Sequence, residues 1–184
     1  MAVSIRLATP NDAEAIAAIY RPYVEDSPIS FEEAAPDAAE MALRIAGDVP
    51  GFHPWFVAEE GERLLGYAAS SRFRTRPAYR WTVETGIYLA AEAHRRGIGK
   101  SLLATLLNML ERQGYVAAIG AIALPNEASV AVHEKLGYFH TGTYRKVGFK
   151  AGQWLDVGLW QKELAPRSAT PAEVLPFLSI RPTE

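Results

Sequence analysis

The sequence predicts a mixed α/β (α+β) fold in which helices flank a mostly antiparallel sheet. Short runs rich in β-branched and aromatic residues, with apolar side chains at every second position, indicate strands. Longer runs with apolar residues three or four positions apart indicate amphipathic helices. The elements follow in the order β, α, α, β, β, β, α, β, α, β, β. Consecutive strands favour antiparallel pairing over an all-parallel sheet.

Capping and helix-breaking residues set the bounds of these elements. Asn11 or Asp12 caps the first helix, and Pro22 interrupts that helix near its end. Gly114 and Gly137 each stop a later helix. The predicted elements are a strand at 4–7, helices at 12–22 and 36–46, strands at 55–59, 64–71 and 81–89, a helix at 98–113, a strand at 116–123, a helix at 126–136, and strands at 138–144 and 154–162.

A basic, glycine-containing turn joins the strand at 81–89 to the helix at 98–113, and the rest of the chain is organised around it. The turn contains Arg95, Arg96, Gly97 and Gly99. Backbone N–H groups at the start of a helix are unpaired and lie at the positive end of the helix dipole. Glycine leaves room for an anion to approach them. The turn therefore predicts a phosphate-binding site.

Several phosphate ligands fit a turn of this kind. Residues 97–101 end like a P-loop, but the position where a P-loop needs its first glycine is His94. A dinucleotide fingerprint lacks its third glycine and the N-terminal βαβ unit that should surround it. An ordinary helix start with a solvated basic turn stays open as the plain alternative.

The segment at 94–99 resembles the acyl-CoA-binding motif of the GNAT N-acetyltransferases, Gln/Arg-x-x-Gly-x-Gly/Ala, with His94 at its first position. The segments at 81–84, 124–126, 133–138 and 147–158 resemble the phosphinothricin and methionine sulfoximine acetyltransferases of that family in particular. The resemblance covers about residues 3–164. We therefore expect a GNAT domain at 1–164 and a proline-containing tail at 165–184 that is partly disordered or docked through Phe177 and Leu178.

This resemblance implies a GNAT fold and acetyl-CoA as co-substrate. In that fold the central strand pair splays apart to admit the pantetheine arm of the cofactor. Gly86 in the middle of the strand is where a bulge could start the splay, or it is a simple packing glycine. The residues expected at the cofactor are Ile87, Tyr88, Leu89, Arg95, Arg96, Gly97, Ile98, Gly99, Lys100, Asn126 and Lys135.

Acyl transfer to an amine needs a base for the ammonium, donors for the oxyanion and a proton for the leaving thiolate. Glu84 is the candidate base, because neighbouring aromatic residues can desolvate its carboxylate; an exposed strand glutamate is the alternative. The backbone N–H groups of residues 87–89 are the candidate oxyanion donors. His133 is the candidate proton donor, or contacts the acceptor. A histidine packed in the core or on a helix surface is the alternative.

An arginine-rich loop precedes the Glu84 strand. Guanidinium groups pair bidentately with carboxylate or phosphoryl oxygens, so the loop can bind an anionic acceptor. A solvated basic loop and an RNA-binding loop are the alternatives. The residues expected to bind the acceptor are Arg74, Arg76, Tyr79 and Arg80.

Composition narrows the function further. The net charge of −2 argues against a nucleic-acid binder, and the absence of cysteine excludes disulfides and an acyl-cysteine intermediate. We expect no metal, because the four histidines are scattered, and no membrane partner. We further expect a cytoplasmic location. The resemblance implies a homodimer, for which the C-terminal strands with Trp154 and Trp160 are the candidate interface; packing of these strands in the core is the alternative. The leading hypothesis is direct acetylation of a small amino-acid analogue such as phosphinothricin or methionine sulfoximine. Acetylation of another amine (a plain amino acid or a peptide N-terminus) and a non-catalytic acyl-CoA sensor are the alternatives.

Overall fold

The computed structural model describes residues 2–180. The elements follow the predicted order, which confirms the mixed fold. Their bounds are β1 Val3–Leu7, α1 Ala13–Glu25, α2 Ala38–Ala46, β2 Trp55–Glu60, β3 Arg63–Arg72, β4 Thr82–Leu89, α3 Ile98–Gln113, β5 Ala117–Leu124, α4 Glu127–Lys135, β6 Phe139–Lys150 and β7 Gln153–Glu163.

The strands form a single seven-stranded sheet in the order β1-β2-β3-β4-β5-β7-β6. Every neighbouring pair is antiparallel except β4 and β5, which run parallel. α3 connects these two strands and packs its leucines against one face of the sheet. α1 and α2 cover the other face, where Tyr20, Met41 and Tyr67 belong to a second apolar cluster. The sheet is thus buried on both sides at its centre.

The two parallel strands separate soon after they meet, which confirms the expected splay. They pair only from Thr82 with Ala117 to Glu84 with Ile119. Beyond that point β4 stays with β3, and β5 stays with β7. Of the two alternatives for Gly86, a bulge and a simple packing glycine, the structure excludes the bulge, because the β3–β4 register runs through Gly86 without a shift. The strands part because the ladder ends at this point, while β4 itself keeps its register.

Side chains close the vertex of the splay. The Thr85 hydroxyl donates to the carbonyl of Ile119 at 3.2 Å. It also lies 2.7 Å from the Tyr138 hydroxyl, and because its one proton goes to Ile119, it accepts from Tyr138. Thr85 is 5 % exposed and Tyr138 4 % exposed. A buried side-chain network therefore takes over where the backbone ladder stops.

Two local predictions were wrong. Pro22 does not interrupt α1, which continues to Glu25, because a proline in the last turns removes one backbone bond and the Pro22 carbonyl still accepts from Asp26 at 3.0 Å. β6 is longer than the predicted 138–144. Its register with β7 shifts between Tyr144 and Gly148, and Lys146 has a φ of 47°. This irregularity breaks the alternation on which the shorter prediction rested.

The described part of the tail, residues 165–180, runs back along the domain. The Leu175 N–H donates to the Gln113 carbonyl at 2.8 Å, and the Gln113 side chain donates to the Leu175 carbonyl at 2.9 Å. The Phe177 N–H donates to Gly51. Leu178 is 78 % exposed and does not dock. Residues 181–184, and with them Pro182, lie outside the described residues. Within residues 2–180, no helix is both long and apolar enough to cross a bilayer.

Candidate active site

A cavity of about 440 Å³ opens where β4 and β5 separate. Residues of β4, β5, α4 and the start of α3 line it, together with Tyr23 of α1 and Ile29 of the α1–α2 loop (residues 26–37). Helices from both faces of the sheet therefore contribute to its wall. Its volume is in the range of small-molecule and cofactor sites, about 300–1,000 Å³. We call it the main cavity.

The predicted phosphate turn lies at one end of the main cavity. Arg95 and Gly97 have φ values of 60° and 78°, so the chain turns sharply before α3 begins. No side chain caps the first turn of α3. Its first N–H groups therefore have no partner within the helix. Gly99 packs against β4, where an added Cβ would lie 3.2 Å from both Ile87 and Leu89. The turn keeps its amides free and close to the strand.

The exposed edge of β4 begins where β5 leaves it. The Ala90 N–H donates to Leu65 of β3, and backbone groups of alternate residues point to the same side of a strand. Tyr88 therefore turns its backbone toward β3, while Ile87 and Leu89 turn theirs toward the main cavity. The Tyr23 hydroxyl bonds to both backbone groups of Leu89. It donates to the Leu89 carbonyl at 2.7 Å and accepts from the Leu89 N–H at 3.3 Å.

α4 forms the opposite wall. The Asn126 side chain caps this helix, accepting from the Ser129 N–H at 3.1 Å. Its carbonyl also accepts from Val130, so Asn126 is fixed at the rim by the start of the helix. Two turns further on, His133 points inward and is 2 % exposed. Because the cap fixes where α4 begins, it also fixes which side chains of the helix face the main cavity.

The hydrogen bonds of His133 define its protonation. Nδ1 lies 2.8 Å from the Ser129 carbonyl, which can only accept, so Nδ1 carries the proton. Nε2 is buried without a partner among the described residues, and His133 lines the main cavity. Burial lowers the pKa of His133, although the bond to Ser129 opposes this shift. At neutral pH the ring is neutral and presents a lone pair.

Glu84 stands at the last pair of the β4–β5 ladder, next to the cavity-lining residues Thr85 and Gly86. It alternates with Val83, which packs toward α3, and has the same parity as Tyr88, which packs toward α1. Glu84 therefore lies on the face covered by α1 and α2. Burial raises the pKa of Glu84, and the charge of Arg74 partly opposes that shift. A partly desolvated carboxylate is thus placed where the strands part.

The arginine-rich loop divides into two groups. Arg74 lies over the Phe73 ring at 5.1 Å and is close enough to Glu84 to affect its pKa. Tyr79 packs edge-on against the same Phe73 ring. Arg80 turns away, with its guanidinium 3.8 Å from the centre of the Trp81 ring and 3.4 Å from a carboxylate oxygen of Glu173 in the tail. Arg74 and Tyr79 share one cluster, and Arg80 belongs to the docked tail.

The main cavity collects only some of the residues expected from the sequence. Ile98 is 5 % exposed and packs in the core, so its backbone alone is available. Arg96 pairs with Glu60 at 2.8 Å, whereas Lys100, Lys135 and Arg76 are exposed. Tyr88 packs its ring against Tyr20 and Tyr23. The expected residues that line the cavity are Ile87, Tyr88, Leu89, Arg95, Gly99, Asn126 and His133.

Sequence reasoning missed Tyr23 and gave His94 no role beyond its place in the motif. The two side chains are in contact, with the Tyr23 hydroxyl 3.2 Å from His94 Nε2, and both line the main cavity. His94 was visible only as a departure from the acyl-CoA motif. Tyr23 looked like a helix residue with no signal of its own, because its contacts are 66 and 71 residues away in the chain.

Comparison with known proteins agrees with this geometry. The model of the acetyltransferase (GNAT) domain matches residues 5–159. A phosphinothricin N-acetyltransferase of Streptomyces viridochromogenes is 36% identical over 97% of this chain and 96% of its own length. An L-methionine sulfoximine/L-methionine sulfone acetyltransferase of Pseudomonas paraeruginosa is 31% identical over 93% of this chain and 100% of its own. The crystal structure of a phosphinothricin acetyltransferase from Sinorhizobium meliloti with acetyl-CoA superposes with a TM-score of 0.89, at 38% identity, covering 99% of this chain and 100% of that one.

The chain belongs to the GNAT family of acetyltransferases. It is an N-acetyltransferase with acetyl-CoA as its co-substrate. The uncapped start of α3, the glycine packed against β4 and the free edge of Ile87 fit an extended, phosphate-bearing molecule that enters between the separated strands.

The protonation of His133 is directly testable. Long-range ¹H–¹⁵N NMR at neutral pH is expected to show the Nδ1–H tautomer, because the Ser129 carbonyl holds that proton. Its titration should lie below the ordinary histidine pKa of about 6.5, because burial disfavours the imidazolium. Loss of the signals in His133→Gln would assign them. An Nε2–H tautomer, or a titration above the ordinary value, would contradict the geometry.

Proposed function

We propose that the acceptor is the amino group of a small amino-acid analogue, such as phosphinothricin or methionine sulfoximine, and that Glu84 is the general base. The observation that carries the proposal is a partly buried carboxylate at the vertex of the splay, beside the cavity that fits the thioester arm. The names of the relatives support the acceptor class. Plain amino acids and peptide N-termini are also tested as acceptors, together with these two analogues.

The arrangement supports direct transfer in a ternary complex. Glu84 takes a proton from the ammonium, and the amine nitrogen then attacks the thioester carbonyl carbon. The Ile87 N–H, on the free edge of β4, is the donor placed to meet the oxyanion. As the C–N bond forms and the C–S bond breaks, His133 Nε2 takes the second amine proton and passes it to the leaving thiolate. The sequence has no cysteine to carry an acetyl intermediate.

The pKa shifts of Glu84 and His133 determine how the proposed reaction depends on pH. Glu84 must be a carboxylate, so its raised pKa means that activity falls as pH drops through that value and is retained above it. His133 must be neutral, and its lowered pKa keeps it so at neutral pH. Both groups lose the required form as pH falls, so each contributes to the acid limb of the rate profile, and the part that Glu84→Gln removes is assigned to Glu84.

Glu84→Gln is expected to lower kcat/KM by about 10²–10⁴-fold, the usual contribution of a general base, and to remove the part of the acid limb that is due to Glu84. Acetyl-CoA affinity should stay within about twofold, because Glu84 does not line the main cavity. Thiol release from acetyl-CoA measures the rate, and calorimetry measures the affinity. Glu14→Gln, an exposed change on α1, is the control. Retained turnover in Glu84→Gln would refute the assignment.

The acceptor's anionic groups are proposed to pair with Arg74 and Arg76, with Tyr79 against its side. Arg74 carries the assignment, since its charge lowers the pKa of Glu84. Arg80, expected from the sequence to share this role, is already engaged by Trp81 and Glu173. We therefore assign Arg80 to holding the tail, and the acceptor is left to the other two arginines.

Arginine variants separate these roles. Arg74→Ala and Arg76→Ala are each expected to raise the KM for phosphinothricin by about tenfold or more, because a charge-assisted hydrogen bond contributes about 1.5–3 kcal/mol. Arg80→Ala should leave that KM within about twofold. An amine without an anionic group, such as an amino-acid amide, serves as comparison, and its KM should change little in any variant. A wild-type preference for that amine would refute the pairing.

A homodimer is proposed through the exposed face of the last hairpin. Phe149 and Trp154 are 60 % and 61 % exposed, and their ring centres lie 5.3 Å apart. β6 is the edge strand of the sheet, so this face ends one side of the domain. Trp160, expected at this interface, is 5 % exposed and packs in the core, and its indole donates to Glu134 of α4. The cytoplasmic location stays a prediction.

Sedimentation velocity tests the dimer. Wild type is expected to sediment as a dimer, and the double variant Phe149→Glu/Trp154→Glu as a monomer, because two buried carboxylates without partners oppose association. Leu178→Glu, at another exposed apolar residue, is the control and should not change the mass. A monomeric wild type at micromolar concentration would refute this interface.

A further inference from the structure

We propose that Lys150 is a positioning residue for acceptor binding, because its ammonium group holds the α1–α2 loop beside the active site. The inference rests on the proposed function, since it assigns to this loop a part in binding the amine. It concerns a residue of β6 at the far edge of the sheet, which has no place in the transfer steps described above.

The ammonium of Lys150 bonds to three backbone carbonyls. It donates to Val24 and Ser30 at 2.6 Å each and to Glu32 at 2.8 Å. An ammonium has three donors, so all of them are used. Val24 lies in the last turn of α1, where carbonyls lack helical partners, and the other two belong to the loop. A single side chain thus fixes both the end of the helix and the loop that follows it.

A glycine two residues earlier on the same strand leaves the space in which the loop is seated. An added Cβ at Gly148 would collide with the ring of Phe31, so the absence of a side chain there makes room for this aromatic residue. Phe31 lies between Ser30 and Glu32, the two loop residues that Lys150 holds. Gly148 and Lys150 therefore act on three consecutive residues of the loop, one by leaving space and the other by hydrogen bonding.

The seated loop lies over the sheet face that carries Glu84. The Tyr20 hydroxyl bonds to Ser30 and Glu32 at 2.6 and 2.9 Å, and the Tyr20 ring packs edge-on against Tyr88 at 4.7 Å. Tyr88 has the same strand parity as Glu84. Just before the seated residues, Ile29 lines the main cavity. The loop is therefore part of the wall past which an acceptor must reach the base.

Topology explains why this link matters. α1 packs against β3 and β4, whereas β6 lies beyond β5 and β7 at the sheet edge. The separation of β4 from β5 leaves a gap between these two halves. Lys150 reaches across the gap from one half to backbone of the other. Losing it should free the loop without disturbing the phosphate turn at 94–99, whose amides and glycines are local to α3 and β4.

Lys150→Met tests the proposal, because it keeps the length of the side chain and removes every donor. We expect the acceptor KM to rise by about tenfold or more, since the variant removes all three charge-assisted bonds that hold the loop and the end of α1. The acetyl-CoA dissociation constant should stay within about twofold. Hydrogen exchange of residues 27–32 should become faster in the variant. Lys150→Arg keeps the charge, but its planar guanidinium group cannot bond to the three carbonyls in the same way. Its acceptor KM should therefore lie between those of wild type and Lys150→Met.

Lys146→Met, an exposed change on the same strand, is the control and should match wild type in all three measurements. An unchanged acceptor KM in a folded Lys150→Met overturns the proposal. So does an equal loss of acceptor and acetyl-CoA affinity, which would mark a general structural role. If Lys150→Met does not fold, the milder Lys150→Arg decides by the same split. If wild type acetylates none of the acceptors tested, the proposed function fails. Unchanged hydrogen exchange of residues 27–32 in Lys150→Met would overturn the role of Lys150 on its own.

Discussion

The active site depends on the point at which β4 and β5 stop pairing. Three residue pairs join the strands, and then the Thr85 hydroxyl takes over the Ile119 carbonyl. A ladder that continued would close the gap and pair the backbone of Ile87. A ladder that ended earlier would open the core to water. Because Tyr138 supplies a proton to Thr85, the break is fully hydrogen-bonded while buried, as polar groups in a core must be.

One physical cause prepares both titrating residues. Removal from water disfavours whichever form is charged, so it raises the pKa of the Glu84 carboxyl and lowers that of the His133 imidazole. The two groups therefore titrate closer together than they would in water. Arg74 limits the upward pKa shift of Glu84, because its positive charge favours the carboxylate. The loop that is proposed to bind the acceptor thus also affects the pKa of the proposed base.

Periodicity and turn chemistry predicted what is local. The order of elements, the end of α3 at Gly114 and the turn before Ile98 follow from residues close together in the sequence. The contacts that shape the site join distant residues: Lys150 reaches residues more than a hundred positions away, and Thr85 meets Tyr138 across 53. No pattern of spacing encodes such pairs. Arg80 shows the same limit, because only the docked tail reveals that its charge is engaged.

The proposed role of His133 gives the protons a different path from the one that a tyrosine at the same position would give. Burial raises the pKa of a phenol, as it does for Tyr138 beside it, so a tyrosine would keep its proton and donate it to a thiolate. Burial acts on histidine in the opposite direction, and with Nδ1 bound to Ser129 the ring presents only a lone pair. Such a residue can protonate the thiolate only after it has taken a proton from the amine. In the proposed mechanism, bond formation to the acceptor therefore comes before protonation of the leaving group, and release of the thiol depends on the presence of an acceptor.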